Sequence, residues 1–276
     1  MATVRQARLG SSPDPVEAAQ ACEDAGADSI VCHLREDRRH IQDRDVDRLV
    51  TQLTVPLNLE MSIAHDIVNV ALRLRPHQVT LVPERRRELT TEGGLDVVRC
   101  RGRLARLIPR FARAGIRVSL FVDPTPAQLA ASAEVGAQLI ELHTGRYASA
   151  KSASARAHEL EAVRRATRQA RRLGLAVAAG HGLDYRNTPA IAAIPDIEEV
   201  NIGFAIVARA MGVGMAEAVR EMKALLRPLD APRPKAGLAR DVAPDASRGR
   251  PERGEAESRD DGGDATLPRR GGAPRA

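Results

Sequence analysis

At 276 residues the chain can hold one large domain or two ordinary ones, and with aromatics at only 2% and no Trp its core has to be aliphatic. The formal charge of +6 tolerates nucleic acid, but the arginines are spread along the chain without the aromatics that stack on bases, so no nucleic-acid partner is expected. The 3 cysteines, Cys22, Cys32 and Cys100, lack CxxC spacing, no apolar run is long enough to span a membrane, and MATVRQAR lacks a signal-type segment; a soluble, cytoplasmic protein is expected.

In chain order, MATVRQARLGSSP reads as a loop, and Asp14-Pro15 as the N-cap and first position of the helix PVEAAQACEDA. Gly26 then closes that helix and SIVCH follows as a strand. Asp43 is expected to cap the helix RDVDRLVTQL. VPLNLE (55–60) and HQVTLV (77–82) read as strands, followed by a long helix over about 96–114. The same Gly joint recurs in ARAGIRVSLFV, AEVGAQLIELH and RRLGLAVAAGH, where a left-handed Gly ends a helix and a short buried strand begins. EVNIGF (199–204) is a last strand candidate, and MAEAVREMKALL a closing helix.

Regular alternation of strand and helix predicts a parallel sheet, either a closed (β/α)8 barrel or an open doubly wound sheet. No GxGxxG or GxxxxGK[ST] follows any strand, which speaks against a nucleotide-binding sheet. Seven strands are legible where a closed barrel needs eight. After LLRPLDAPRP large apolar residues nearly vanish, so 1–227 is expected to be the barrel domain and 228–276 a disordered tail rich in Pro, Gly, Arg and Asp.

In such barrels the site lies at the C-terminal ends of the strands. Those ends carry His33, Glu60, Pro83-Glu84, Asp123, Glu141 with His143, His181 and Gly203, an inventory suited to general acid–base chemistry. There is no HxH, HExxH or carboxylate cluster, so no metal is expected. GHGLDYRN and NIGFAIVARAM place Gly where backbone N–H groups can meet a phosphate, and the Arg-rich HLREDRRH suggests a second anionic group on the substrate. His65, His77 and His158 read as surface residues, Cys32 as core, and PERRRE as a solvated loop or a subunit contact.

The blocks HLREDRRHIQDRDV, NLEM, LVPERRRELTTEGGLDV, GIRVSLFVD, GAQLIELHTGRYA, AGHGLDYRN, IAAIP and NIGFAIVARA resemble, in order and spacing, the pyridoxine 5'-phosphate synthase family. The resemblance covers Ala2 to Leu226. It implies a (β/α)8 barrel that joins 3-amino-2-oxopropyl phosphate to 1-deoxy-D-xylulose 5-phosphate without a cofactor or metal, and a homo-octamer. It makes His33 and Glu60 bases, His181 a proton donor and Glu141 a stabiliser of the transition state. Arg8 would hold the amino-oxopropyl phosphate, and Arg35, His40 and Thr90 the deoxyxylulose phosphate. Gly182, Gly203 and Phe204 would meet phosphate through backbone N–H groups, and HTGRYA resembles a loop that closes over the substrates.

Two departures stand out. The family opens on a strand with an Asn and an Asp-His pair ahead of the segment that aligns with Met1; the expectation is a late-assigned start and a barrel short of its first strand. Phe204 stands where many relatives have His. The alternatives are another phosphosugar barrel, an aldolase or cyclase, and a non-catalytic barrel whose tail binds an acidic partner.

Overall fold

The computed structural model describes residues 1–84 and 93–226. These belong to the unit Met1–Asp230; the second unit, Ala231–Ala276, and with it the expected disordered tail at 228–276, lies outside the described residues.

The chain runs α1 (Ala2–Gln6), α2 (Pro15–Asp24), β1 (Ile30–Leu34), α3 (Asp43–Gln52), β2 (Leu57–Met61), α4 (His65–Leu74), β3 (Gln78–Leu81) and α5 (Val97–Arg113). It continues through β4 (Arg117–Val122), α6 (Pro126–Glu134), β5 (Leu139–His143), α7 (Gly145–Ser149) and α8 (Ala153–Arg172). β6 (Ala176–Gly180), α9 (Thr188–Ala192), β7 (Ile197–Asn201), α10 (Phe204–Val213) and α11 (Met215–Leu226) complete it. The seven strands form one curled parallel sheet in sequential order, β1 to β7, the α/β barrel-type architecture expected.

Alternation along the strands divides the sheet into two unlike faces. Leu57, Leu59, Met61, Val79, Leu81, Val118, Leu120, Ile140, Leu142 and Val177 join the aliphatic core, which they share with Ile67, Leu104, Phe111 and Leu129 from the helices. Each such side chain contributes about 1.5–3 kcal/mol by leaving water. The other parity carries Asn58, Glu60, Thr80, Ser119, Glu141 and Asn201, aligned by the pairs Glu60↔Thr80, Thr80↔Ser119 and Gly180↔Asn201. This second face is polar, with Asn58, Thr80, Ser119 and Glu141 buried and Glu60 and Asn201 half-buried, and Thr80 Oγ1 donates to Asn58 Oδ1 at 2.9 Å within it.

Three local expectations are corrected. The opening segment is not a loop: α1 forms because Arg5 is buried, with Nη1 and Nη2 on Asp45 at 2.8 and 2.6 Å and Nη2 on the His40 carbonyl at 2.9 Å. Removing one partner of such a buried pair costs about 3–5 kcal/mol. α3 is capped by Gln42, not Asp43; Asp45 accepts the Gln42 N–H at 2.9 Å while Asp43 is engaged by Arg38 at 3.0 Å. β7 begins at Ile197 and ends at Asn201, because a register irregularity at Val177/Ala178 carries the pairing forward and Gly203 is already the N-cap of α10. Elsewhere the signals translate directly: Asp14 accepts the Val16 N–H at 2.9 Å, and Asp96 the Arg99 N–H at 3.1 Å. No helix among the described residues is long and apolar enough to cross a membrane.

Candidate active site

β1 and β2 pair His33 directly with Glu60. Their side chains share the polar face, with His33 Nδ1 3.8 Å from Glu60 Oε2. On the far side of the ring, His33 Nε2 lies 3.7 Å from Glu84 Oε2 at the end of β3. Burial pushes the Glu60 carboxyl up, and the nearby His33 only partly opposes this. Burial also acts on Glu84, but His33, the Glu36 N–H and Arg35 outweigh it and hold that carboxyl below its usual range.

Beyond β1 the HLREDRRH loop divides its residues between pocket and surface. Arg35 is buried, with Nη2 3.5 Å from Glu84 Oε1. The His40 ring stands 6.0 Å from that of His33, and its Nδ1 accepts the Ile41 N–H at 2.9 Å, leaving Nε2–H as the donor. Burial, with His33 and Arg35 nearby, lowers the His40 imidazole to about 4, so at neutral pH it can offer a hydrogen bond and Arg35 the charge. Arg38 and Asp43 at 3.0 Å, and Arg39 and Asp37 at 2.6 Å, tie the loop to itself.

A second cluster stands on β5, β6 and β7. Glu141 is buried and accepts the Asn201 side-chain amide at 2.8 Å. Burial pushes its carboxyl well up, the Glu60 charge adds to this, and the Asn201 hydrogen bond opposes it. His181 follows β6 with φ +78°, a left-handed conformation that costs a non-Gly residue about 1–3 kcal/mol. It is held by Thr144, whose Oγ1 is 2.7 Å from both the Gly180 and His181 carbonyls, and by Asn187, whose amide donates to the Gly182 carbonyl at 3.1 Å. The His143 ring stands 5.0 Å from that of His181, and its Nδ1 is 3.0 Å from Asp123 Oδ1.

The geometry thus brings His33, Glu60, Arg35 and His40 together, and places Glu141 within β5 and His181 just after the adjacent strand β6. Gly182 has φ +76° and a Cβ there would meet Ala148 Cβ at 2.7 Å, so its identity has a structural cause. Gly203 has an ordinary φ of −105° and open space around it, and Phe204 is 90% exposed. Arg8 is exposed in the turn after α1, and Thr90 lies outside the described residues. His65 is exposed, though as the first residue of α4 it sits at the same sheet end as the site.

Sequence reasoning put Glu84, Asp123 and His143 at strand ends but gave them no part. Of the two readings of PERRRE, a solvated loop or a subunit contact, the first does not hold at Glu84, whose side chain is 2% exposed, while residues 85–88 lie outside the described residues; a strand-end carboxylate beside a strand-end His is the legible signal. Asn201 and Thr144 carried none, since their role depends on bringing residues 141, 180 and 201 together. Among the described residues no group of three or more His, Cys, Asp or Glu is arranged to hold a metal ion.

A parallel α/β barrel-type sheet with histidines and tuned carboxylates gathered at its strand ends defines an acid–base enzyme. Residues 1–228 match the family model described as "Pyridoxal phosphate biosynthesis protein PdxJ", and the chain belongs to that family. It is similar to the pyridoxine 5'-phosphate synthase of Trichlorobacter lovleyi, 56% identical over 227 residues that cover 82% of this chain and 95% of the relative. The same-named protein of Coxiella burnetii is 52% identical over 226 residues, covering 82% and 94%. Among solved structures, phosphoribosyl anthranilate isomerase from Thermus thermophilus superposes with a TM-score of 0.52 at 16% identity over 76% of this chain and 93% of that one, a likeness of fold alone.

Proposed function

We propose that this enzyme condenses 3-amino-2-oxopropyl phosphate with 1-deoxy-D-xylulose 5-phosphate, giving pyridoxine 5'-phosphate, inorganic phosphate and water. Beyond family membership, the observation that carries this reading is the set of proton-exchanging groups of different strength on one polar sheet face. His33 and Glu60 lie 3.8 Å apart, and Glu141 is buried on β5 with its carboxyl pushed up. Amine condensation with a ketone, two dehydrations, phosphate loss and ring closure each move a proton, so several tunable groups serve better than one strong nucleophile.

In this reading His33 and Glu60 accept protons, His181 returns one to a leaving oxygen, and Glu141 steadies the charge that develops. Arg35 supplies positive charge and His40 a neutral N–H to the deoxyxylulose phosphate. Arg8 and Thr90 add to substrate binding, and the N–H groups of Gly182, Gly203 and Phe204 to phosphate binding. Homo-octameric assembly and a cytoplasmic location belong to the same reading; sedimentation analysis tests the first.

The decisive experiment mixes the purified chain with both phosphates and follows pyridoxine 5'-phosphate together with inorganic phosphate. Both should appear in equal amounts, and their absence would overturn the reading for this chain. His181→Asn keeps a residue that tolerates φ +78° and removes the imidazole, so the protein should fold normally and lose at least about a hundredfold in turnover. Undiminished turnover would remove His181 from the mechanism.

A further inference from the structure

His33 lies between two carboxylates that differ in exposure and in anchoring. Glu84 is fixed: its Oε1 accepts the Glu36 N–H at 2.9 Å and stands 3.5 Å from Arg35 Nη2. Its other oxygen, Oε2, faces His33 Nε2 at 3.7 Å. Both of these atoms are buried, and among the described residues neither has a hydrogen bond to any other group. An unpaired buried polar atom has given up water without regaining a hydrogen bond, which is unfavourable. Two of them face to face are satisfied together by a side-chain movement of about half an ångström to one ångström, with the ring nitrogen as donor and the carboxylate as acceptor. Glu60, on the Nδ1 side at 3.8 Å, is more exposed, at 26% against 2% for Glu84.

We propose that Glu84 is the positioning residue for His33: it takes the Nε2–H and thereby fixes the imidazole in the tautomer whose Nδ1 lone pair faces Glu60. The inference rests on reading His33 as a base, and it names the basic atom. A carboxylate that holds one ring nitrogen decides which of the two can accept a proton, and the wrong tautomer leaves a base in place but unable to act. Glu84 touches no reacting atom; it acts through His33.

The surroundings of Glu84 make the isosteric variant informative. In Glu84→Gln the Glu36 N–H and Arg35 still require an acceptor at the Oε1 position, so the amide oxygen goes there and the NH2 is turned toward His33 Nε2. A donor then meets a nitrogen that was itself a donor, and the ring answers by moving its proton to Nδ1.

The test is 15N NMR of the histidine side chains in the full chain without substrate, at a pH where the ring is neutral, with the His33 signals assigned by their loss in His33→Asn. The wild type should show Nε2–H at His33, Glu84→Gln should show Nδ1–H, and kcat should fall at least about a hundredfold while KM moves less than about threefold. A wild-type spectrum dominated by Nδ1–H overturns the proposal, and it does so without any variant having to fold. Unchanged tautomer and turnover in a folded Glu84→Gln protein overturn it equally. A wild type with Nε2–H that makes no product supports the pairing and counts against the proposed reaction instead, so the two failures are distinguishable.

Discussion

Asn201 reaches Glu141 across an intervening strand, its amide 2.8 Å from Oε2, because the residue between them on β6 is Gly180. A Cβ at position 180 would lie 1.9 Å from Glu141 Oε1 and 3.2 Å from the Asn201 carbonyl. Gly180 does not need a left-handed backbone; it is Gly because the carboxylate occupies the volume a side chain would take. Gly180→Ala is therefore expected to displace Glu141, lower stability by about 1–3 kcal/mol and reduce kcat at least about tenfold. Denaturant unfolding and steady-state kinetics check this together. A variant with wild-type turnover would mean that the position of Glu141 is not critical.

Glu141 also makes stability depend on pH in a definite sense. Burial, aided by the charge of Glu60, raises its carboxyl pKa in the folded state above the ordinary value of 4.5, and Asn201 offsets only part of the shift. Its stabilising contribution is therefore fully present below the unfolded pKa and is lost as pH rises through the folded one. Glu141→Gln removes that loss. The melting temperatures of variant and wild type should converge near pH 4 and separate toward pH 8 in favour of the variant, by about 2–4 °C for each kcal/mol released. Thermal unfolding of both proteins across this range is the measurement, and a constant difference would show that Glu141 titrates as it does in the unfolded chain.

How much of the molecule is legible from sequence follows from what kind of interaction each feature needs. Asp14-Pro15, the Gly joints and the short aliphatic runs act within a few residues, and they locate the seven strands, β7 with shifted ends, and the starts of α2, α5 and α11. His33, Glu60, Glu141 and His181 were legible because strand parity and strand ends are local facts. The partners of those residues were not. Glu84 approaches His33 from two strands further along the chain, and Asn201 approaches Glu141 over a separation of 60 positions, through a sheet whose register no local pattern specifies. α1 shows the same limit: MATVRQAR has little reason to be helical by itself, and it is the Asp45 carboxylate 40 positions away that gives Arg5 a buried partner.

The phosphate reading of the last strand–helix turn can be separated from a structural one, because Gly203 and Gly182 differ. At Gly182 a φ of +76° and the contact with Ala148 require Gly whatever binds there, so a substitution is uninformative about ligands. Gly203 has φ −105°, and a methyl group added there would meet nothing within 4 Å, so Gly203→Ala should leave stability within about 0.5 kcal/mol of wild type. If its N–H and that of Phe204 hold a substrate phosphate at the start of α10, the added methyl crowds that anion and KM should rise at least about tenfold with little change in the melting temperature. Phe204→Ala is the companion, since a 90% exposed ring adds little to the fold and a backbone contact survives its loss; KM and stability should both stay near wild type. Kinetics with each phosphate varied in turn identify which substrate the turn holds, and an unchanged KM for both in Gly203→Ala would remove this turn from the binding site.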